Sequence, residues 1–176
     1  MGFLTGKKLL ITGVLSNRSI AYGIAKACHA QGAELAFSYV GERFKDRITD
    51  FAAEFDSKLI FDCDVGSDEQ IERMFADLSQ TWPKFDGFVH SIGFAPREAI
   101  AGDFLDGLSR ENFRIAHDIS AYSFPALAKA PLIGTEVCQY EASPDSPFIV
   151  DRHPAAPNAW IALSNCVLSF LSSAGR

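Results

Sequence analysis

Between Lys8 and Ser91 four short apolar runs are separated by three longer stretches with helical spacing, and this alternation limits the fold more than any other feature. Lys8 to Thr12, bounded by Gly6 and Gly13, has the length and composition of a buried strand. Ser19 to Gln31 follows, with Ile20, Ile24, Ala27 and Cys28 on one helical face and Gly32 as a stop signal. Glu34 to Tyr39 predicts a second strand, Glu42 to Phe55 a charge-laced amphipathic helix, and Lys58 to Cys63 a third strand. Asp68 to Trp82 predicts another helix, and Asp86 to Ser91 a fourth strand closing at Gly93. Parallel strands need crossovers of this length. The expectation is an α/β fold, a doubly wound parallel sheet of about four strands with flanking helices.

From Asp103 to Ala130 the pattern is helical again, with Phe113, Ala116, His117, Ser120, Phe124, Leu127 and Ala128 tracing one face. Pro125 interrupts it and predicts a kink. At Pro131 the character changes. Five of the eight prolines (Pro131, Pro144, Pro147, Pro154, Pro157) fall in one short stretch, and no lysine follows Lys129. Only Phe148 to Val150 hints at a strand, and Trp160 to Leu171 is an apolar run without caps, readable as a short helix or as sticky surface. The chain is therefore divided at residue 130, with 131–176 expected to be an irregular tail.

Composition excludes several classes. A chain of 176 residues, 48% hydrophobic, holds one core, so one domain is expected. The formal charge of −6, with Lys and Arg scattered, excludes a phosphate-tracking surface, so no nucleic-acid partner is expected. No apolar run is long enough to span a membrane. The start Met1-Gly2-Phe3-Leu4 lacks the regions of a secretory signal, and Gly6 stands where myristoylation needs Ser or Thr. Cys28, Cys63, Cys138 and Cys166 show no CxxC and no metal-type spacing, and read as the reduced thiols of a cytoplasmic protein.

Three stretches carry candidate chemistry. Strand, Thr12-Gly13, then Ser19-Ile20-Ala21-Tyr22-Gly23 opening a helix places free N–H groups and a partial positive charge where a pyrophosphate would lie. Gly13 permits the tight turn, Ser19 adds a hydroxyl, and Gly23 is expected to let the helix pack close to the sheet. The spacing is not G-x-G-x-x-G, and an ordinary glycine turn is the alternative. Cys63-Asp64-Val65 closes the third strand: Asp64 suits an adenine amine and Val65 the ring face, the alternative being an Asx turn or helix cap. His90-Ser91-Ile92-Gly93-Phe94-Ala95-Pro96 closes the fourth with small residues that allow close approach. His90 and His117 read as satisfied core residues and His29 as surface, while His153 falls in the tail. Glu42, Arg43, Lys45, Asp46 and Arg47 read as a solvated mixed-charge face.

Residues 1 to about 130 resemble the bacterial NADH-dependent enoyl-(acyl-carrier-protein) reductases, a divergent branch of the short-chain dehydrogenase/reductases with a Rossmann-type sheet. The stretches carrying this are Met1-Gly2-Phe3-Leu4, Gly13, Ser19 to Gly23, Gly32 to Ala36, Cys63 to Val65, Phe85 to Pro96 and Ala116 to Phe124, the last two highly specific. The resemblance implies that Gly13, Ser19, Ile20, Asp64, Val65 and Ile92 line an NAD site with Gly93 beside it, and that Ala95 lies where a substrate thioester enters. Position 40, often Gln in the family, is Val40 here. No Arg immediately follows the second strand, which fits NADH, although Arg43 keeps NADPH open.

The resemblance further implies reduction of trans-2-enoyl thioesters on acyl carrier protein, in fatty-acid elongation, by a homotetramer. There a tyrosine stabilises the developing oxyanion and a lysine holds the nicotinamide ribose. In such enzymes that pair follows a fifth strand beginning just beyond the position of Ala130. Pro131 to Arg176 holds no lysine and a single tyrosine, Tyr140. Tyr122 and Lys129 have the catalytic spacing but lie on the preceding helix, where family members carry a similar segment as well as the true pair. No catalytic residue is therefore assigned. The leading expectation is the front half of such a reductase with a replaced C-terminal part, as a frameshift produces, and inactive. The alternatives are a non-catalytic NAD-binding module, and a non-functional fragment whose fourth strand leaves an unpaired edge.

Overall fold

The computed structural model describes residues 2–130, together with 149–152, 159–164 and 167–172. Four parallel strands form its centre: β1 (Lys8–Ile11), β2 (Glu34–Tyr39), β3 (Ile60–Asp62) and β4 (Gly87–Val89), in the order β3-β2-β1-β4. Leu9 pairs with Leu35 on one side and Gly87 on the other, and Phe37 pairs with Ile60. The crossovers are α1 (Ile20–Ala30), α2 (Glu42–Glu54) and α3 (Asp68–Thr81), so the expected alternation of strands and helices is what forms.

Side chains alternate across the sheet and divide the core in two. Leu9, Ile11, Leu35 and Phe37 face α1 and α2, where Ala21, Ala25, Ile48, Ala52 and Phe55 meet them. Leu10, Ala36 and Phe88 face the opposite way, onto Ile71, Met74, Phe75 and Leu78 of α3 and onto Leu127. Both faces are covered, which is why these strands read as continuous apolar runs rather than alternating ones.

Two expectations are corrected here. On α1 the fully buried positions are Ala21 and Ala25; Ile24 and Cys28 are half-buried against the core as expected, whereas Ile20 is 75% exposed and Ala27 is also exposed. Small residues let the helix backbone approach the sheet, and the larger Ile20 is left at the helix mouth. Gly23 does not provide that approach, because a Cβ built there meets nothing within 4 Å.

The stretch after β4 is broken rather than one helix. It runs through α4 (Arg97–Ile100), α5 (Phe104–Gly107) and α6 (Arg110–His117), then a π-turn (Asp118–Tyr122), then α7 (Ser123–Lys129). Ser109 caps α6 by accepting the Asn112 amide. The π-turn lies just N-terminal to Pro125, which has no N–H to give the Ala121 carbonyl. His117, expected in the core, is exposed and stacks on exposed Phe113.

Three further strands, β5 (Ile149–Arg152), β6 (Ala159–Ser164) and β7 (Val167–Ser172), form an antiparallel set. β7 adjoins β4 antiparallel, with Gly87 opposite Leu171, so the outer edge of β4 is paired at that point. Tyr140, His153, Cys138, Cys166 and the clustered prolines lie outside the described residues.

Candidate functional site

The four parallel strands end on one edge of the sheet. From β1 the chain crosses by α1 to β2 on one side, and from β3 it crosses by α3 to β4 on the other, so the order reverses at β1. In open α/β sheets ligands lie outside this reversal point. Gly13 leaves β1 with φ +88°, and a Cβ there would run into the Ser91 carbonyl, so the turns after β1 and β4 meet backbone to backbone. Fully buried Thr12 ties the same two ends: its amide and its hydroxyl both donate to the Val89 carbonyl, at 3.0 and 2.8 Å.

Ser19 precedes α1 but does not cap it. Its oxygen accepts the amides of Leu15 and Ser16, each at 3.0 Å, which folds the turn onto itself. An oxygen that accepts twice keeps its proton to donate. Arg47 of α2 donates to the Leu15 carbonyl at 3.2 Å, so that peptide is held from both sides. The first turn of α1 receives no side-chain cap, and the positive end of its dipole opens onto the edge where Ile20 stands exposed.

At the end of β3, Asp64 makes the Asx turn named as its alternative, accepting the Gly66 amide at 2.9 Å, while its own amide donates to Gln70. Its side chain remains exposed, beside buried Val65. Asp62 accepts the Gly41 amide at 2.9 Å and so links the ends of β2 and β3. Burial, then the Asp64 and Asp62 carboxylates, push the Cys63 thiol up to about 12, which removes it as a nucleophile at neutral pH.

At the end of β4, His90 is buried and its Nε2 lies 2.7 Å from the Ser123 hydroxyl, which donates in turn to the Ile119 carbonyl at 2.6 Å. With that proton given away, His90 Nε2 is the donor to Ser123. Burial holds the imidazole below its ordinary value, so the ring is neutral and structural, as expected. Ile92 and Ala95 are half-buried, and Gly93 between them is exposed. Phe94 gives its amide to the Ser120 hydroxyl at 2.9 Å and receives that hydroxyl's proton on its carbonyl at 3.0 Å.

Gly13 is thus brought against Ser91 and Ile92, and the Ser19 turn follows it into α1. Asp64 and Val65 lie two strands away, roughly 10 Å, on the same edge. Sequence reasoning named Thr12 without its partner Val89 and missed the roles of Arg47, Ser120 and Ser123, which depend on partners far along the chain. Tyr122 and Lys129 are both exposed. No group of three or more metal-ligating side chains occurs among the described residues.

Residues 13–133 match the family described as enoyl-(acyl carrier protein) reductase. The chain belongs to that family. It is similar to the enoyl-(acyl-carrier-protein) reductase (NADH) FabI of Neisseria meningitidis, 65% identical over 130 residues, 74% of this chain and 50% of that relative. The Escherichia coli FabI is 58% identical over the same share of each chain. The crystal structure of the Aquifex aeolicus reductase matches with TM-score 0.70 at 47% identity, covering 73% of this chain and 55% of that one. The Anaplasma phagocytophilum reductase, solved in complex with NAD, matches with TM-score 0.69 at 39% identity, covering 74% and 50%. The chain spans about half the length of the curated relatives it matches.

The observed strand order and covered sheet faces are those of a Rossmann-type domain. Among the described residues no helix is long and apolar enough to cross a membrane.

Proposed function

We propose that this chain binds NADH across the ends of β3, β1 and β4 and does not itself complete enoyl reduction. The observation that carries the reading is the Gly13 contact: a side chain there would collide with the Ser91 carbonyl where the β1 and β4 turns meet, and the helix that follows the β1 turn starts without a side-chain cap. A dinucleotide needs that combination, close backbone approach plus unpaired N–H groups for its pyrophosphate. Ser19 offers a hydroxyl donor beside it. Ile20 supplies an exposed apolar surface, Asp64 an exposed carboxylate toward the adenine amine, Val65 and Ile92 apolar walls, and Ala95 a small residue where an acyl thioester would approach.

NADH, when bound, supplies a hydride. The chain's own residues hold and orient it, but within Pro131 to Arg176 no lysine and only Tyr140 are present to steady the ribose and stabilise an enolate. The substrate class of the family, a trans-2-enoyl thioester on acyl carrier protein, therefore meets a site that orients without reducing. The test is NADH fluorescence and consumption with crotonyl-CoA. Binding without turnover is expected, and turnover at an ordinary enzymatic rate would overturn the second half of the proposal.

A further inference from the structure

We propose that Ser120 is a positioning residue for the nicotinamide half of this site, acting through the loop after β4. This rests on the NADH reading above. The base of the loop is held firmly: Gly13 abuts Ser91, Thr12 takes the Val89 carbonyl, and His90 is pinned by Ser123. The chain leaves the sheet after Val89, and further on Gly93 and Phe94 are exposed. Ser120 meets this free stretch twice on one residue, taking the Phe94 amide and giving to the Phe94 carbonyl. Two bonds to one residue set its rotation as well as its place.

The turn that presents Ser120 is a π-turn, a rare geometry found mostly at functional sites, and Ser123, the first residue of α7 after it, reaches His90 at the base of the same loop. Strand order assigns the half of the ligand. With adenine at Asp64 on β3 and the pyrophosphate at β1 and α1, the remaining nucleotide lies over β4 and its loop. Ser120 acts through Phe94. Releasing Phe94 lets Gly93 and Ala95 drift from the nicotinamide while leaving β1 and β3 unchanged.

The experiment is calorimetric titration of the full chain, Ser120→Ala and Ser120→Thr with NAD and, separately, with ADP, alongside thermal unfolding. For Ser120→Ala the expected result is NAD affinity weakened about tenfold, the scale of a lost hydrogen bond, with ADP affinity unchanged. The unfolding temperature should stay within about 3 °C of the parent. Ser120→Thr, which keeps the hydroxyl, should bind NAD as the parent does. Parental NAD affinity in Ser120→Ala would overturn the proposal, as would parallel losses for NAD and ADP, or equal losses in the Ala and Thr variants. If the parent chain bound neither ligand, the NADH reading itself would fall, which is a distinct result.

Discussion

Gly13→Ala is the most exacting perturbation, because two separate costs fall on one methyl group. The residue sits at φ +88°, where an L side chain costs about 1–2 kcal/mol. The added Cβ would also collide with the Ser91 carbonyl, which is backbone and cannot swing aside, so the β1 and β4 turns must part. Overpacking of that kind costs about 1–3 kcal/mol. Together they give about 3 kcal/mol, or roughly 10 °C of melting temperature for a chain of this size. NADH affinity should fall as well, since the proposed site places the pyrophosphate at those turns. Gly23→Ala is the internal control. Its Cβ meets open space inside a helix, and alanine there should be neutral or stabilise by up to about 1 kcal/mol. Circular dichroism melts of the two variants, with and without NADH, settle the matter. If Gly13→Ala melted and bound NADH like Gly23→Ala, the reasoning from backbone contact would be refuted.

Two predictions concern pH. Burial keeps the His90 imidazole below its ordinary pKa, so the unfolded chain takes up a proton first as pH falls below about 6.5. Stability should therefore decline from that pH downward until the lower folded value is passed. His90→Gln, which keeps a donor for Ser123, should flatten the decline in urea midpoint, and an unchanged slope would contradict the assignment. At Asp86, burial alone would raise the carboxyl, but the Lys7 ammonium at 2.8 Å and the Lys8 amide at 2.8 Å outweigh it and hold it below the usual range. Its contribution is present above about pH 4 and lost as pH falls through the depressed value. Asp86→Asn should cost about 1 kcal/mol at neutral pH in urea titrations. The gap should close under acid, and a gap that persisted there would count against the ion pair.

The parallel sheet was readable from sequence because burial on both faces leaves a plain signature: short apolar runs broken by amphipathic stretches of crossover length. The turns that follow the strands, at Gly13, Asp64 and Ile92, were placed for the same reason, since each lies close after the point where a strand stops. The face of α1 was read in part: Ile24 and Cys28 pack on the core as expected, but the close approach to the sheet buried Ala21 and Ala25 and left Ile20 exposed at the mouth and Ala27 exposed as well. Gly23 was misread through the habit of taking a helical glycine as a contact. The π-turn left no periodic trace, and Pro125 marked only that the helix was disturbed. Ser120 read as one more position on a helix face and Ser123 was given no role; their partners, Phe94 and His90, lie 26 and 33 positions away. Arg47 read as part of a solvated face, yet it holds the Leu15 carbonyl.

The central claim is that these strand ends still form a dinucleotide site, and calorimetric titration of NADH into the full chain tests it most directly. The account predicts one saturable site per chain, lost in Gly13→Ala and kept in Gly23→Ala. No heat of binding, with no rise in unfolding temperature at saturating NADH, would contradict it.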